Sequence, residues 1–485
     1  MPRATPGLLG LLGLLAACDA PADDRAAWLQ TTLVLDNQAF LDTDPARARE
    51  KFARMSLGLF PYYRGTLGQF ARDVGQAGGA AAVPGAHATA ETADVALIGD
   101  PHPENLGSFR RADGTLVIEF NDFDAATYGP YHFDVRRLAL GFHIAGVELG
   151  VAAPEQAAAA ATTAYVDEIA ALAASTHAAA IAGPDAPGKI LRHTLKKAAE
   201  DGAAREELGD YTRLEAGARV MFFGDVEPPV DWHMGDHAVT VATDAVAPLA
   251  PAEARTLELL LAAWPATLRD PAAMTPAAMR LKGAARRLGA GVASYPAPRF
   301  YALLEGPTPA PDDDVLLELK QVYDATALPG LARLPSRPFA DNGTRVVAQQ
   351  RALQSSADCD PLLGHASLGA ATFRVRDRSK FQRGVDLEKI AEKMAEGDWD
   401  DDDIVDLAAD AGRLLARAHA RARRQSGPVA LPFIAAALLP DRDGFVAETL
   451  EFVRAYAVVV QDDYQRFLDA LTAVGPSLGY TPHQP

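Results

Sequence analysis

Residues 95–124, VALIGDPHPENLGSFRRADGTLVIEFNDFD, bring oxygen-bearing side chains together at spacings that suit work on a phosphate. Asp100, Asn105, Asp122 and Asp124 are the candidates. A carboxylate can orient or deprotonate an attacking hydroxyl, while Asn and Asp oxygens can hold Mg²⁺ against phosphate oxygens. Magnesium takes few, hard oxygen ligands and keeps several waters, so two protein ligands suffice.

Such a set works only if the chain gathers it. Val95-Ala96-Leu97-Ile98 is a short apolar run that reads as a buried strand. It enters Gly99-Asp100-Pro101-His102-Pro103-Glu104-Asn105, a loop that two prolines keep out of helix. Leu106 to Arg110 and Thr115 to Phe120 then read as strands of a hairpin turned at Ala112-Asp113-Gly114. The open ends of a hairpin lie side by side, so Asn105 and Asp122 are expected to face one small volume, with Asp100 just upstream. Singly, Asp100 and Asn105 read better as turn caps; the joint spacing, the hairpin between Asn105 and Asp122 and the second Asp motif are what favour a site.

Around this stretch the chain is helix-rich. Residues 45–75, the Ala-rich run from Glu155 to Ala182, and residues 188–207 and 252–268 carry helical patterns. Strand signals return from Arg287 to Lys320, and helices are expected from Asn342 to Ala473. This block order predicts an α+β fold of two lobes rather than an alternating parallel sheet. The expected divisions are 18–44 as tether and lead-in, 45–270 as the site segment with a helical large lobe, 271–345 as a small-lobe sheet, and 346–485 as a helical remainder.

The 485 residues are 49% hydrophobic, enough for a sizeable core, and the 46 basic against 64 acidic side chains leave a formal charge of -18. That balance argues against a nucleic-acid partner and against docking on anionic lipid. Two cysteines, Cys18 and Cys359, build no disulfide framework and fit no zinc pattern. The acidic run Asp400 to Asp403 reads as a solvated helix cap rather than a calcium site, and Asp441-Arg442-Asp443-Gly444 as a turn.

The site stretch resembles the catalytic loop of the kinase-like phosphotransferases, among them aminoglycoside and choline kinases. Gly99-Asp100 with Asn105 matches their G-D-x-x-x-x-N, and Asn121-Asp122-Phe123-Asp124 matches their metal-binding segment. Gly129-Pro130 with Asp134 and Leu138-Ala139 looks like their structural-aspartate motif. The resemblance implies Asp100 as catalytic base, Asn105 and Asp122 as metal ligands assisted by Asp124, and Mg²⁺ with ATP or another nucleotide as cofactors.

The order differs from an ordinary kinase. The glycine turn Leu288-Gly289-Ala290-Gly291 and the strand lysine Lys320 come after the catalytic loop. Lys320 is expected on the strand face opposite Leu317 and Leu319. Leu414-Leu415-Ala416-Arg417-Ala418-His419 resembles the helix that normally precedes the loop. The resemblance therefore implies a circularly permuted kinase-like fold, with Gly289, Gly291 and Lys320 on the nucleotide. Against turnover stand Ser294 in place of the third loop glycine and Ala348 where a lysine-pairing Glu is expected, with Gln350 as a neutral substitute.

Taken together, the segments resemble a bacterial family, domain of unknown function 2252. The shared pattern runs from Tyr63-Arg64-Gly65 through G-D-x-H-x-x-N and N-D-F-D to Leu415–Ala420, spanning residues 45 to 425. The leading expectation is Mg²⁺-dependent transfer of a nucleotide phosphate to an unknown small-molecule or protein acceptor. The alternative is a catalytically degenerate module that binds a ligand or partner. A third reading, a metal-dependent phosphoesterase, would use Asp100 and His102 with Asp122, Asp124, His132 and His143.

The chain opens with MPRATPGLLGLLGLLAAC, one Arg and a short apolar stretch before small residues, which reads as a signal peptide over 1–17. Leu15-Ala16-Ala17-Cys18 resembles a bacterial lipobox, which implies a lipidated Cys18 and a protein held at the cell envelope, on the periplasmic or extracellular face, by its N-terminal lipid alone. ATP is scarce there.

Overall fold

The computed structural model describes residues 22–75, 85–111, 113–175, 187–234, 237–242, 244–271, 280–289, 291–323, 339–356, 360–378 and 381–474. The signal segment 1–17, Cys18 and Cys359 lie outside them. Helices α1 (Ala22–Thr43), α2 (Pro45–Met55), α3 (Leu59–Gly65) and α4 (Leu67–Gly75) lead to strands β1 (Val95–Leu97), β2 (Leu106–Arg110), β3 (Leu116–Phe120) and β4 (Thr127–Gly129). Next come α5 (Tyr131–Leu149), α6 (Pro154–Ala174), α7 (Lys189–Ala204) and α8 (Glu206–Tyr211). Six short strands follow: β5 (Thr212–Glu215), β6 (Ala218–Met221), β7 (Gly224–Glu227), β8 (Val230–Met234), β9 (His237–Val241) and β10 (Asp244–Ala247). After α9 (Pro251–Ala263) come β11 (Leu281–Leu288), β12 (Arg299–Leu304), β13 (Val315–Val322), α10 (Asn342–Leu353), β14 (Gly364–Leu368) and β15 (Ala371–Asp377). The chain ends in α11 (Leu387–Ala395), α12 (Asp401–Arg421), α13 (Leu431–Leu438) and α14 (Arg442–Val474).

The fold is mixed α and β, built on a seven-stranded antiparallel sheet of order β14-β15-β13-β12-β11-β10-β7. Side chains alternate across a strand. Phe300, Ala302, Leu317, Leu319, Phe373 and Val375 therefore share one face, buried against Leu257, Leu260 and Trp264 of α9 and the turn after it. Lys320, Glu318, Arg299, Tyr301, Arg374 and Arg376 fall on the other. Lys320 lies opposite Leu317 and Leu319 in face, as the spacing predicts.

The helical part is organised by α6 between α5, α12 and α14. Its alanines permit the close approach: Ala157, Ala158 and Ala161 are buried, and a Cβ at Gly412 of α12 would sit 2.0 Å from the Ala161 carbonyl oxygen. Asp400 caps α12 by accepting from the Asp403 amide, the bland reading of that acidic run.

Three expected divisions need correction. The stretch 18–44 is not a tether from Ala22 onward: α1 is anchored by Arg25, whose guanidinium bonds both Asp73 of α4 and Asp463 of α14. The sheet exceeds 271–345, because β7 and β10 extend one side and β14 and β15 the other. The remainder 346–485 is therefore not wholly helical. Arginines at alternate positions of β15 hide its apolar partners Phe373 and Val375 from a periodicity reading. Among the described residues no helix is long and apolar enough to cross a membrane.

Candidate active site

The hairpin forms where the spacing puts it. β2 pairs with β3 in antiparallel register from Leu106↔Phe120 to Arg110↔Leu116, and β1 pairs with β4. The segment after β15 adds to the hairpin's free edge, with Val385 N donating to Leu106 O and Ser108 N to Arg383 O. Asp100, Asn105 and Asp122 converge at the open end.

Asp134, at the start of α5, holds the loop in place. Its carboxylate accepts from Ile98 N (2.6 Å) and Gly99 N (3.0 Å), and His419 of α12 lies 3.1 Å away with its other nitrogen on Tyr165 Oη. Gly99 is required here. Its φ is +85°, and a Cβ would meet the Ala125 carbonyl oxygen at 2.1 Å. Gly99 and Asp134 thus act together: one residue admits the bend and the other pins its amides.

One turn beyond Asp134, Arg137 donates from Nε to Asp100 Oδ1 (2.8 Å) and from Nη2 to Tyr63 O, while Tyr63 Oη donates to Arg137 O. Burial raises the Asp100 carboxyl above the usual carboxylate range, with Arg137 pulling against it. Arg64 pairs with Glu104, which also accepts from Leu387 N and ties the loop to α11. Arg137 was not legible as a site residue; its only sequence signal is the three-residue step from Asp134 along a helix.

Asn105 has a different role from the one expected. Its Nδ2 donates to Asp100 O and Asp122 O, both at 3.1 Å, and its Oδ1 accepts from Asn121 N (3.1 Å) and Asp122 N (2.7 Å). All four hydrogen-bonding positions of the amide are used. No lone pair remains for a metal, so Asn105 is corrected from ligand to clamp: it fixes the loop of Asp100 to the loop of Asp122.

Lys320 arrives from β13, 198 residues after Asp122. Its Nζ lies 3.0 Å from Asp122 Oδ2 and 2.5 Å from Asp124 Oδ2. Lys320 is almost fully buried, whereas the Asp122 side chain remains 45% exposed. Burial would raise both carboxyls. Lys320 and Arg374 more than reverse this at Asp122, whose carboxyl lies far below its usual range; Asp124, facing the Asp122 charge as well, titrates above it. Asp124 Oδ1 is buried with no hydrogen-bond partner. Arg345 of α10 secures this loop through Asp124 O and Ala126 O, and reaches Tyr323 O after β13.

Gly289 and Gly291 sit in the β11–β12 connection with φ of +90° and +82°. The loop is at the Lys320 end of the sheet, since Arg299 pairs with Lys320 in register. It is not free: Arg54 of α2 donates to Gly291 O, and Tyr295 Oη bonds Glu50. Gln350 does not pair with Lys320: its amide nitrogen donates to Gln354 Oε1, and its own Oε1, the atom that could accept from a lysine, is buried with no hydrogen-bond partner.

The histidines form no metal set. Burial holds His102 and His132 below their usual range, with His102 edge-on to Phe60 and His132 against Tyr131 and Phe133. Among the described residues no group of three or more His, Cys, Asp or Glu side chains is arranged to hold a metal ion. Asp122 and Asp124 present oxygen donors of the hard type that Mg²⁺ takes, and Asp124 Oδ1 is buried with no hydrogen-bond partner.

Comparison with curated proteins and with solved structures found no match. A family profile described as "Uncharacterized protein conserved in bacteria (DUF2252)" matches residues 43–470, and the chain belongs to that family.

Proposed function

We propose that the protein is a kinase-like phosphotransferase of permuted chain order that moves a phosphoryl group from a nucleotide to a hydroxyl acceptor. The observation that carries this is the meeting of Lys320 with Asp122 and Asp124 at the mouth of the hairpin that presents Asp100. The connectivity supports it: a glycine turn between β11 and β12, a lysine on β13 and a helix, α10, behind it are the small-lobe parts of that resemblance. A cavity of about 870 Å³ between the sheet, α7 and α11, lined by Arg287, Arg378 and Gly384, offers room for the rest of a donor.

In this reading Asp122 and Asp124 would hold Mg²⁺, whose charge would offset that of the phosphate oxygens, and Lys320 would contact the phosphate chain. Asp100 accepts the acceptor's hydroxyl proton as its oxygen bonds to phosphorus, while the bond to the bridging oxygen breaks and the nucleotide diphosphate leaves. A carboxyl raised by burial is a stronger base than a solvated one. We place the protein at the envelope, anchored by lipid on Cys18.

Catalytic degeneracy is the second reading. The saturated Asn105 amide and the pinned Gly291 carbonyl favour it. Calorimetry with ATP and Mg²⁺ tests the site: Asp122→Ala is expected to abolish Mg²⁺-dependent binding in a protein that still folds, and unchanged binding would remove the metal role from Asp122. Binding without phosphate transfer to any acceptor would favour the degenerate module.

A further inference from the structure

The sheet face that carries Lys320 is crowded with positive charge in a chain that is acidic overall. Lys320 lies between Arg299 on β12 and Arg374 on β15, and Glu318 lies between Tyr301 and Arg376. Three guanidiniums share the one buried carboxylate of Glu318: Arg376 Nε at 2.9 Å, Arg299 Nη1 at 3.3 Å and Arg374 Nη2 at 3.4 Å. Arg374 itself is 2% exposed.

One carboxylate cannot occupy these donors. Arg374 Nε and Nη1 and Arg376 Nη1 are buried with no hydrogen-bond partner, and so is the hydroxyl of Tyr301 on the same face. Buried guanidinium protons left unpaired are costly, and most buried polar atoms find partners. The unused donors lie close to the candidate active site: Arg374 is the register partner of Lys320, Arg376 follows it on the same face, and Lys320 Nζ lies 3.0 Å from Asp122 Oδ2. Planar guanidinium forks match the oxygens of a phosphate group.

We propose that Arg374 and Arg376, with Lys320 beside them, form a binding site for a phosphate-type oxyanion. It deepens the transfer reading by naming the grip on the donor's terminal phosphate, and only that assignment rests on the reading. The anion needs neither Mg²⁺ nor Asp100 to bind. Entry is past Asp122, the half-open member of the cluster.

The test is isothermal calorimetry on the full chain in EDTA, titrating inorganic phosphate, pyrophosphate and tripolyphosphate at matched ionic strength. The wild type is expected to bind at least one of them, and Arg374→Lys and Arg376→Gln to weaken that binding tenfold or more. Arg286→Gln, which alters an arginine on the opposite sheet face, is expected to bind as the wild type does. Should Arg374→Lys fail to fold, Arg376→Gln, a less buried change, decides. Asp122→Asn is expected to keep Mg²⁺-free anion binding while losing Mg²⁺-dependent nucleotide binding, so the two proposals fail separately. No binding of any of the three anions by the wild type, or full affinity in Arg376→Gln, overturns the site. Equal affinity for phosphate and tripolyphosphate overturns its assignment to a donor's phosphate tail.

Discussion

Replacing Asn105 by Ala separates a clamp from a metal ligand. The side chain makes four hydrogen bonds to backbone groups of two loops. The Asn121 amide keeps a second acceptor, the Asn105 carbonyl at 3.1 Å, so the substitution orphans three groups: Asp122 N, Asp122 O and Asp100 O. At about 1 kcal/mol for each lost bond, the loop pair loses about 3 kcal/mol. Hydrogen exchange followed by mass spectrometry reads this locally, and 3 kcal/mol corresponds to a roughly hundredfold faster exchange at 121–122 if that opening is local. Asn105→Asp provides the sharper arm. A carboxylate would serve a metal better than an amide, yet its second oxygen would face the two carbonyls that Nδ2 now satisfies, so it too should loosen the loops. Wild-type exchange in both variants, with Mg²⁺ binding lost only in Asn105→Ala, would refute the clamp.

Other expectations follow from single contacts. Gly99→Ala should destabilise the protein by on the order of 2 kcal/mol or more, because its Cβ collides with the Ala125 carbonyl at a positive φ; an unshifted urea midpoint would contradict this. Burial lowers Lys51 to about 8 against the opposition of Asp36. Its unfolded counterpart titrates near ~10.4, so the unfolded chain holds the extra proton between the two values and stability should rise with pH there, by up to about 3 kcal/mol. Lys51→Met should flatten that rise in urea melts at pH 7.5 and about 10; an unchanged slope would count against a buried, neutralised lysine. Burial raises the carboxyls of Asp360 and Asp377, with repulsion by Asp360 adding at Asp377. The native state then holds protons that the unfolded chain has released, so this pair's contribution to stability falls as pH rises above about 4. Asp377→Asn should lose less stability than the wild type between about pH 5 and 8, and equal losses would refute the assignment.

What the sequence carried was local. The hairpin turn at Asp113-Gly114 and the alternation about Lys320 are short-range signals, and each formed as read; the prolines around His102 do not keep the loop wholly out of helix, because Pro103–Asn105 makes one 3₁₀ turn that Pro103 opens. The Asp134 contact was reachable through resemblance because its spacing from Gly99 is fixed by one strand pair and one helix start. Asn105 departs from the expectation because residue type does not say who takes up an amide's hydrogen bonds, and its partners come from two loops, Asp100 upstream and Asn121 with Asp122 across the hairpin. Arg374 and Arg376 were unreadable for a related reason: on their own strand they look like a solvated edge, and only pairing with β13 turns them inward. Helix α1 is not legible because its anchors, Asp73 and Asp463, come from distant helices.

The chain order gives the acid pair a period alone. During synthesis Asp122 and Asp124 emerge long before Lys320, and the hairpin that presents them can close early because its contacts are local. A polypeptide halted or clipped before β13 would display two adjacent carboxylates without their counter-ion. Arrival of the lysine therefore reports that β13 has reached the site, with β14 and β15 still to join the sheet, and quality-control proteases scanning unfinished chains would meet this region in its least settled form.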